Sequence, residues 1–296
     1  MRIPGSDQAP ISWIRAIASI TGTLVLCLAA SSARADDPPR SAYEVRAVVE
    51  GGFVGVLSNF GAFGADATHV DFREAAGQDS LLAYTRWSAE LELGTRHTLV
   101  FLYQPFASEG VFTPATDQHV EGVTFAAGAP VRVQFGFPYY RLSYLYELVQ
   151  HERGYLAIGF TGQLRNADYR YARLDGTAFA RSANVGFVPA FKARGELALS
   201  RSAFVGFDAD GIYAPISVLN GSTNKTVGAI LDASVSAGVC VGERGRAFAN
   251  VRYLGGGATN EDPGNYAKNW LHVMFVGIGA SFDLVGTPTR VRGTRC

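Results

Sequence analysis

Ten segments of the chain alternate between apolar and polar residues, and the spacers joining them alternate between short and long. The first property sets local structure. A period of two puts successive side chains on opposite faces of a strand. The segments are Tyr43–Leu57, Leu81–Leu93, Thr98–Phe106, Val133–Leu148, Gly154–Asp168, Val185–Leu199, Ala203–Ser217, Val227–Val241, Arg246–Gly256 and Trp270–Leu284. The pattern is cleanest from Tyr139 to Leu148. There Tyr140, Leu142, Tyr144, Tyr146 and Leu148 share one face, and Arg141, Ser143 and Glu147 the other, with Leu145 as the exception. The second property sets topology. Gly94–His97, Gln150–Arg153, Ser200–Ser202 and Gly242–Gly245 are short. Ser58–Ser80, Ala107–Arg132, Tyr169–Asn184, Val218–Thr226 and Gly257–Asn269 are long. This order sorts tight turns to one rim and long loops to the other, as in a closed barrel that crosses a membrane. An even strand number brings both chain ends to the tight-turn rim.

The start of the chain agrees with export. Met1–Ala35 reads as a secretory signal: Arg2 and Arg15 supply positive charge, Ala16–Ala30 is apolar, and Ala33-Arg34-Ala35 is a small-x-small cleavage site. Residues 36–284 then form the barrel and 285–296 a periplasmic tail. No later stretch reaches the roughly 18 apolar residues of a transmembrane helix. Yet 48% of residues are hydrophobic and 12% aromatic, so the apolar faces of the strands need either lipid or a sandwich core to cover them. A soluble periplasmic β-sandwich is therefore the alternative fold. Net charge is zero and no basic block occurs, which argues against a nucleic-acid partner. Cys240 and Cys296 follow the cleavage site, too few for a disulfide-built fold. A bridge between them is one expectation for the oxidising periplasm, and a free tail is the other. Pro138, Pro189 and Pro215 lie inside proposed strands, where proline removes a ladder donor. Pro138 and Pro215 fit near the outer rim; Pro189 has no explanation in the sequence.

The leader, the alternating strands, the loop order and a last strand HVMFVGIGASF ending on Phe282 resemble Gram-negative outer-membrane β-barrel proteins. The resemblance covers nearly all of the mature chain and is architectural. It implies a location in the outer membrane, contact with outer-membrane lipid and lipopolysaccharide, and passage through the barrel-assembly machinery. The terminal aromatic of such proteins serves as an assembly signal. Here Phe282 is followed by Asp283–Cys296, a departure from that pattern.

Parity assigns the charged residues to the inward face. They are Glu44, Glu50, Glu90, Glu92, Glu147, Glu196, Asp208, Asp210 and Asp232, with Arg46, Arg86, Arg141, Arg165, Lys192, Arg194 and Arg252. Charge is costly on a lipid-facing wall, so its confinement to one parity supports the fold. These residues form a structural ion-pair network, line a pore, or bind a polar ligand. Asp208-Ala209-Asp210-Gly211 matches only the start of a calcium loop, and alternating aspartates on a strand explain it better. Outer-membrane lipid hydrolases place a histidine two residues before a nucleophilic serine. His272 is followed by Val273 and Met274, and His119 by Val120 and Glu121, so that pair is missing. His97 and His151 fall in tight turns. Trp87, Trp270, Tyr103, Tyr140, Tyr144, Tyr146 and Tyr253 suit interfacial girdles better than sugar stacking. The glycines at 255–257, 277 and 279 suit a crowded barrel better than a nucleotide loop.

The expectation is a single antiparallel up-and-down barrel of about ten strands, without catalysis or cofactor. Its role is structural or binding through long outer loops. The alternatives are a small-solute, porin-like channel and, more remotely, a lipid-modifying hydrolase. A barrel of this kind needs detergent for extraction, and unboiled protein should migrate differently from boiled protein on a denaturing gel. Recovery in the soluble periplasmic fraction would select the sandwich instead.

Overall fold

The alternating segments form strands, and the strands close on themselves. A computed structural model of the protein describes residues 43–64, 66–215, 226–260 and 266–285. The leader Met1–Ala35, Cys296 and the glycosylation-type triplet Asn220-Gly221-Ser222, a weak signal in a loop of ordinary turn residues, lie outside the described residues. In chain order the elements are β1 (Tyr43–Phe63), β2 (Val70–Asp71), helix α1 (Phe72–Ala75), β3 (Leu82–Leu93), β4 (His97–Gln104), β5 (Ala107–Phe112), β6 (Gln118–Val120), β7 (Val123–Phe125), β8 (Val131–Gly136), β9 (Tyr139–His151), β10 (Gly154–Arg173), β11 (Phe179–Ala198), β12 (Ala203–Pro215), β13 (Thr226–Val241), β14 (Gly245–Asn260) and β15 (Ala267–Val285).

Ten of these strands are the staves of a closed antiparallel barrel, in the order β11-β12-β13-β14-β15-β1-β3-β4-β9-β10, with β10 pairing β11 to complete the circle. The seam joins the two ends of the barrel: β1 pairs β15 from Val45 opposite Val285 to Phe63 opposite Ala267. Tight turns at residues 94–96, 152–153, 199–202 and 242–244 lie at the same end as Tyr43 and Val285. Gly94 and Gly242 take positive φ there (61° and 69°), which a side chain would resist.

The wall faces lipid. Phe53, Trp87, Phe101, Leu142, Phe160, Phe191, Val276 and Ile278 point outward, each more than half exposed. Lipid solvates such a surface, and water does not. Trp87, Tyr103 and Tyr140 follow one another across β3, β4 and β9, with the two tyrosine rings stacked at 4.8 Å. On β10 and β11 the outward face turns polar beyond Leu164 and Val185. There Arg181 and Arg170 both donate to Asp168, and hydrogen bonding from Arg181 holds this carboxyl below its usual range.

Three sequence boundaries need correction. Val133–Leu148 is two strands, β8 and β9, broken at residues 137–138 where Pro138 has no N–H to give. The break is bridged, because Asn166 N donates to Pro138 O at 3.0 Å, and β10 pairs β9 below it and β8 above it. Tyr169–Asn184 is not a loop. It is the outer continuation of β10 and β11, paired from Gly154 opposite Leu197 to Ala172 opposite Phe179. The region Ala107–Arg132 carries β5, β6 and β7.

These outer strands build a cap. β5 pairs β8, and the segment between β1 and β3 folds in beside them, bringing α1 with it. Asp71 caps that short helix through its side chain (2.8 Å to Arg73 N). Phe72 is fully buried, with ring centroids 5.2 Å from Phe135, 5.3 Å from Tyr169 and 6.4 Å from Tyr171. Buried Gln78 ties the same segment to the wall and to β5, accepting from Asn59 and donating to Ser108, each at 2.8 Å. Phe72→Ala removes the centre of this cluster without space for it to collapse. A loss of about 3–5 kcal/mol is expected, read as increased proteolysis of the outer segments on intact cells.

Candidate functional site

Inward positions follow from the ladder. Each stave contributes alternate residues to the lumen, and the register aligns them from strand to strand. Near the tight-turn end these residues are mostly charged. Nearer the cap they are apolar: Val54, Val56, Tyr84, Leu102, Leu254, Leu271, Val273 and Phe275 are all buried there.

The charged half forms one connected lattice. Arg46 on β1 contacts Asp283 on β15 at 2.6 Å, Glu44 at 3.0 Å and Glu90 on β3 at 3.8 Å. Glu90 is also held by Arg194 on β11 (2.7 Å), which reaches Asp208 on β12 at the same distance. Lys192 bridges Asp208 (2.5 Å) and Asp210 (2.8 Å). Arg141 on β9 then spans the lumen to Asp210 (3.2 Å) and Asp232 on β13 (2.6 Å). Asp232 and Glu50 both receive Arg86, at 3.6 and 3.4 Å. Arg252 on β14 joins Glu50 at 3.2 Å, and Asn250 also donates to Glu50. The two staves without a charge in this lattice supply amides. Gln104 on β4 accepts from Arg86 (3.2 Å) and Tyr139 (2.6 Å), and Gln163 on β10 accepts from Arg141 (2.6 Å). Thr161 donates to Asp210. Arg141 lies over the Tyr139 ring at 5.0 Å.

Twelve of the thirteen residues singled out as the lumen network are placed inward with polar partners: Arg46, Glu50, Arg86, Glu90, Arg141, Glu147, Lys192, Arg194, Asp208, Asp210, Asp232 and Arg252. Glu147 sits lower than the rest, at the inner mouth, where Gln150 donates to it at 2.9 Å. The thirteenth, Arg165, points inward but stands apart, because the sequence expectation of an ion pair fails. No carboxylate contacts it among the described residues, and its Nε is buried without a hydrogen-bond partner. The step above Gln163 is already in the apolar half, lined by Val188, Ile212, Leu254 and Leu271.

Two charged inward residues escaped the sequence reading, as did the amides and hydroxyls that complete the lattice. Arg246 is buried, bonds Glu196 at 2.9 Å and lies over Phe204 at 5.1 Å; Asp283 holds Arg46. Both share the parity of their strands' inward residues, so the signal was present. They lie at strand ends, where alternation is hardest to extend. Cys240 is disulfide-bonded, and the other two cysteines of the chain lie outside the described residues.

The two halves differ in empty space. A cavity of about 150 Å³ remains among the charged side chains. A larger one, about 420 Å³, lies directly above the lattice. Val188, Ile212, Ile230, Leu254 and Leu271 line it, Phe137 of the cap borders it, Arg165 is its charged residue, and Gln163 and Asn269 are its amide residues. The glycines expected to relieve crowding do so at Gly277, where a Cβ would lie 2.6 Å from Gly51 O.

Four of the five histidines are engaged elsewhere. His97 bonds the Tyr144 hydroxyl and His272 that of Tyr253, both at 2.7 Å. His119 bonds Thr124, and His151 accepts from Arg153 N. Asp208 and Asp210 direct their oxygens at Lys192, as alternating strand aspartates.

No protein-family model and no curated protein sequence matches the chain. Solved structures similar in fold are Gram-negative outer-membrane β-barrel proteins. The outer membrane protease OmpT from Escherichia coli is 9% identical, with a TM-score of 0.48, over 84% of this chain and 99% of that one. The attachment invasion locus protein Ail of Yersinia pestis is 8% identical, with a TM-score of 0.33, over 81% and 99%. A Pseudomonas aeruginosa FadL homologue is 9% identical, with a TM-score of 0.36, over 83% and 91%. Likenesses at this level concern architecture and not activity or ligand.

Asp232 is the most shared anion of the lattice, with Arg141, Arg86 and Arg252 all within 4 Å. Removing it leaves three buried guanidinium groups short of a partner. Asp232→Ala should cost about 3–5 kcal/mol, read as a lower denaturant midpoint for loss of the fast-migrating folded band.

Proposed function

We propose that this is a non-catalytic outer-membrane barrel whose lumen is closed to polar solutes along its axis. Its role is structural or binding, carried by the outer half and its cap. The single observation behind this reading is the ion-pair lattice that connects all ten staves across the lumen. A ten-stranded barrel is close to the width that side chains fill, whereas about 16 strands leave an aqueous channel. Long arginines, fixed to one strand by their backbone and to others by carboxylates, occupy that space. Moving them aside exposes unpaired charge in a low dielectric, which is strongly opposed. The apolar cap adds a second closure above. Outer-membrane lipid and lipopolysaccharide are the partners of the apolar wall, and the barrel-assembly machinery inserts it. Histidines bonded to tyrosine, threonine and backbone groups support a role without catalysis.

Planar-bilayer recording tests the reading. The unmutated protein should conduct little. Arg141→Ala, which cuts the lattice at its centre, should raise conductance or destabilise the barrel. A large and stable single-channel conductance in the unmutated protein would make it a porin-like pore.

A further inference from the structure

Among the described residues, β12 runs past its last pairing with β11. β11 runs from Phe179 to Ala198, yet it pairs β12 only from Phe191 opposite Gly211 to Ala198 opposite Phe204. Above that point β11 remains paired to β10, and β12 to β13, but the two strands part from each other. Pro189, two residues above the last pair, brings no N–H to a ladder. Its position inside a strand therefore has a physical account: it stands at the lip of a gap.

The 420 Å³ cavity lies behind this gap. Its lining includes Phe187, Val188 and Pro189 from one lip and Ile212 from the other. Phe187 points outward and is 66% exposed, and Val185, Phe191 and Tyr213 around it are likewise exposed and apolar. The gap thus opens through the lipid-facing wall. Its level is fixed by β10, where Leu164 faces lipid and the outward side chains become polar from Asn166 onward. Arg165 is between the two, at the height where hydrocarbon gives way to head groups.

Arg165 is the charge this space contains. Its stem lies flat over Gly186, where a Cβ would stand 2.8 Å from Nε. Below it, Gln163 is already held by Arg141. A partly buried guanidinium without a carboxylate, over an apolar cavity, is costly unless something anionic completes it. The volume lies within the roughly 300–1,000 Å³ of small-molecule sites, which pair apolar walls with a few fixed polar groups.

We propose that the cavity binds a single-chain amphiphile with an anionic head, the head on Arg165 and the chain against Val188, Ile212, Ile230, Leu254 and Leu271, with access from the membrane through the gap between β11 and β12. A guanidinium meets a carboxylate or phosphate through two parallel hydrogen bonds. The site sits above the ion-pair lattice, so this inference goes beyond the closed-lumen reading and survives if the lower lumen conducts.

The test uses the full mature protein in phosphatidylcholine nanodiscs, with Phe187→Trp as a reporter at the lip. Brominated dodecanoate should quench this tryptophan saturably. Unlabelled dodecanoate, supplied from solution, or a lysophosphatidic acid, supplied in the bilayer, should compete, and which competes better identifies the source. Dodecanol should compete about tenfold or more weakly, the scale of a charged hydrogen bond. Arg165→Gln should weaken binding similarly, and Arg165→Lys, which keeps the charge but loses the paired donors, should fall between arginine and glutamine. Ile212→Trp, which fills the cavity, should abolish saturation while the folded band on the gel persists. Equal competition by dodecanol, or saturable quenching unchanged in Arg165→Gln, would overturn the proposal.

Discussion

Buried charge inside a membrane barrel is costly unless it is paired, and that constraint orders the lower lumen. Nearly every inward acid on the lower staves meets at least one cation, and the central ones meet several. Because the partners lie on different strands, each ion pair also fixes one stave relative to another across the barrel. The backbone ladder sets neighbours; the lattice sets opposites. Such pairs add little to stability relative to well-packed apolar residues, but breaking one is expensive. Their effect is therefore to make alternative arrangements of the staves costly. The apolar outer half does not impose that penalty. There the chain tolerates a cavity, a strand break at Pro138 and a wall that parts between β11 and β12.

Much of this was legible in the sequence, for a specific reason. In a lipid-facing barrel the outward residue must be apolar, so period-two alternation is enforced by solvent on one side alone. Segments such as Leu81–Leu93 and Val227–Val241 therefore match their strands almost to the residue. Parity also assigned the lumen charges, because a strand has only two faces. The reading failed where lipid no longer dictates the pattern. Beyond Leu164 and Val185 both faces of β10 and β11 meet water or the cap, and polar residues such as Arg170, Arg173 and Arg181 read as loop. The cap itself carried no periodic signal: α1 is four residues long and β2 two. Its core is an aromatic cluster of Phe63, Phe72, Phe106, Phe125, Phe135 and Tyr169, each from a different segment, and no local window contains it.

Arg165 shows the limit of parity more sharply. The same rule that placed it inward said nothing of height along the barrel, and height decides whether an acid is near. Arg141 and Arg165 are equivalent by alternation. One lies among Asp210, Asp232 and Gln163, and the other one inward position above Gln163, facing Val188 and Ile212. Pro189 is the counterpart case. As a residue of a strand it contradicts the ladder, and only the observed parting of β11 from β12 makes it consistent.

The seam between β1 and β15 has a consequence for how the barrel comes into being. Its ladder joins the first strand to the last, and the Arg46–Asp283 ion pair joins residues 237 positions apart, so the barrel cannot close until the last strand is present. Every other stave contact is made by strands adjacent or nearly adjacent in sequence. Closing the seam means ordering the longest loop the chain can form, after the local hairpins are in place. Until then β1 presents a 21-residue open edge, much of it glycine and valine, a template for any other strand. The interval between synthesis of β1 and arrival of β15 is the period in which this chain is most exposed to mispairing.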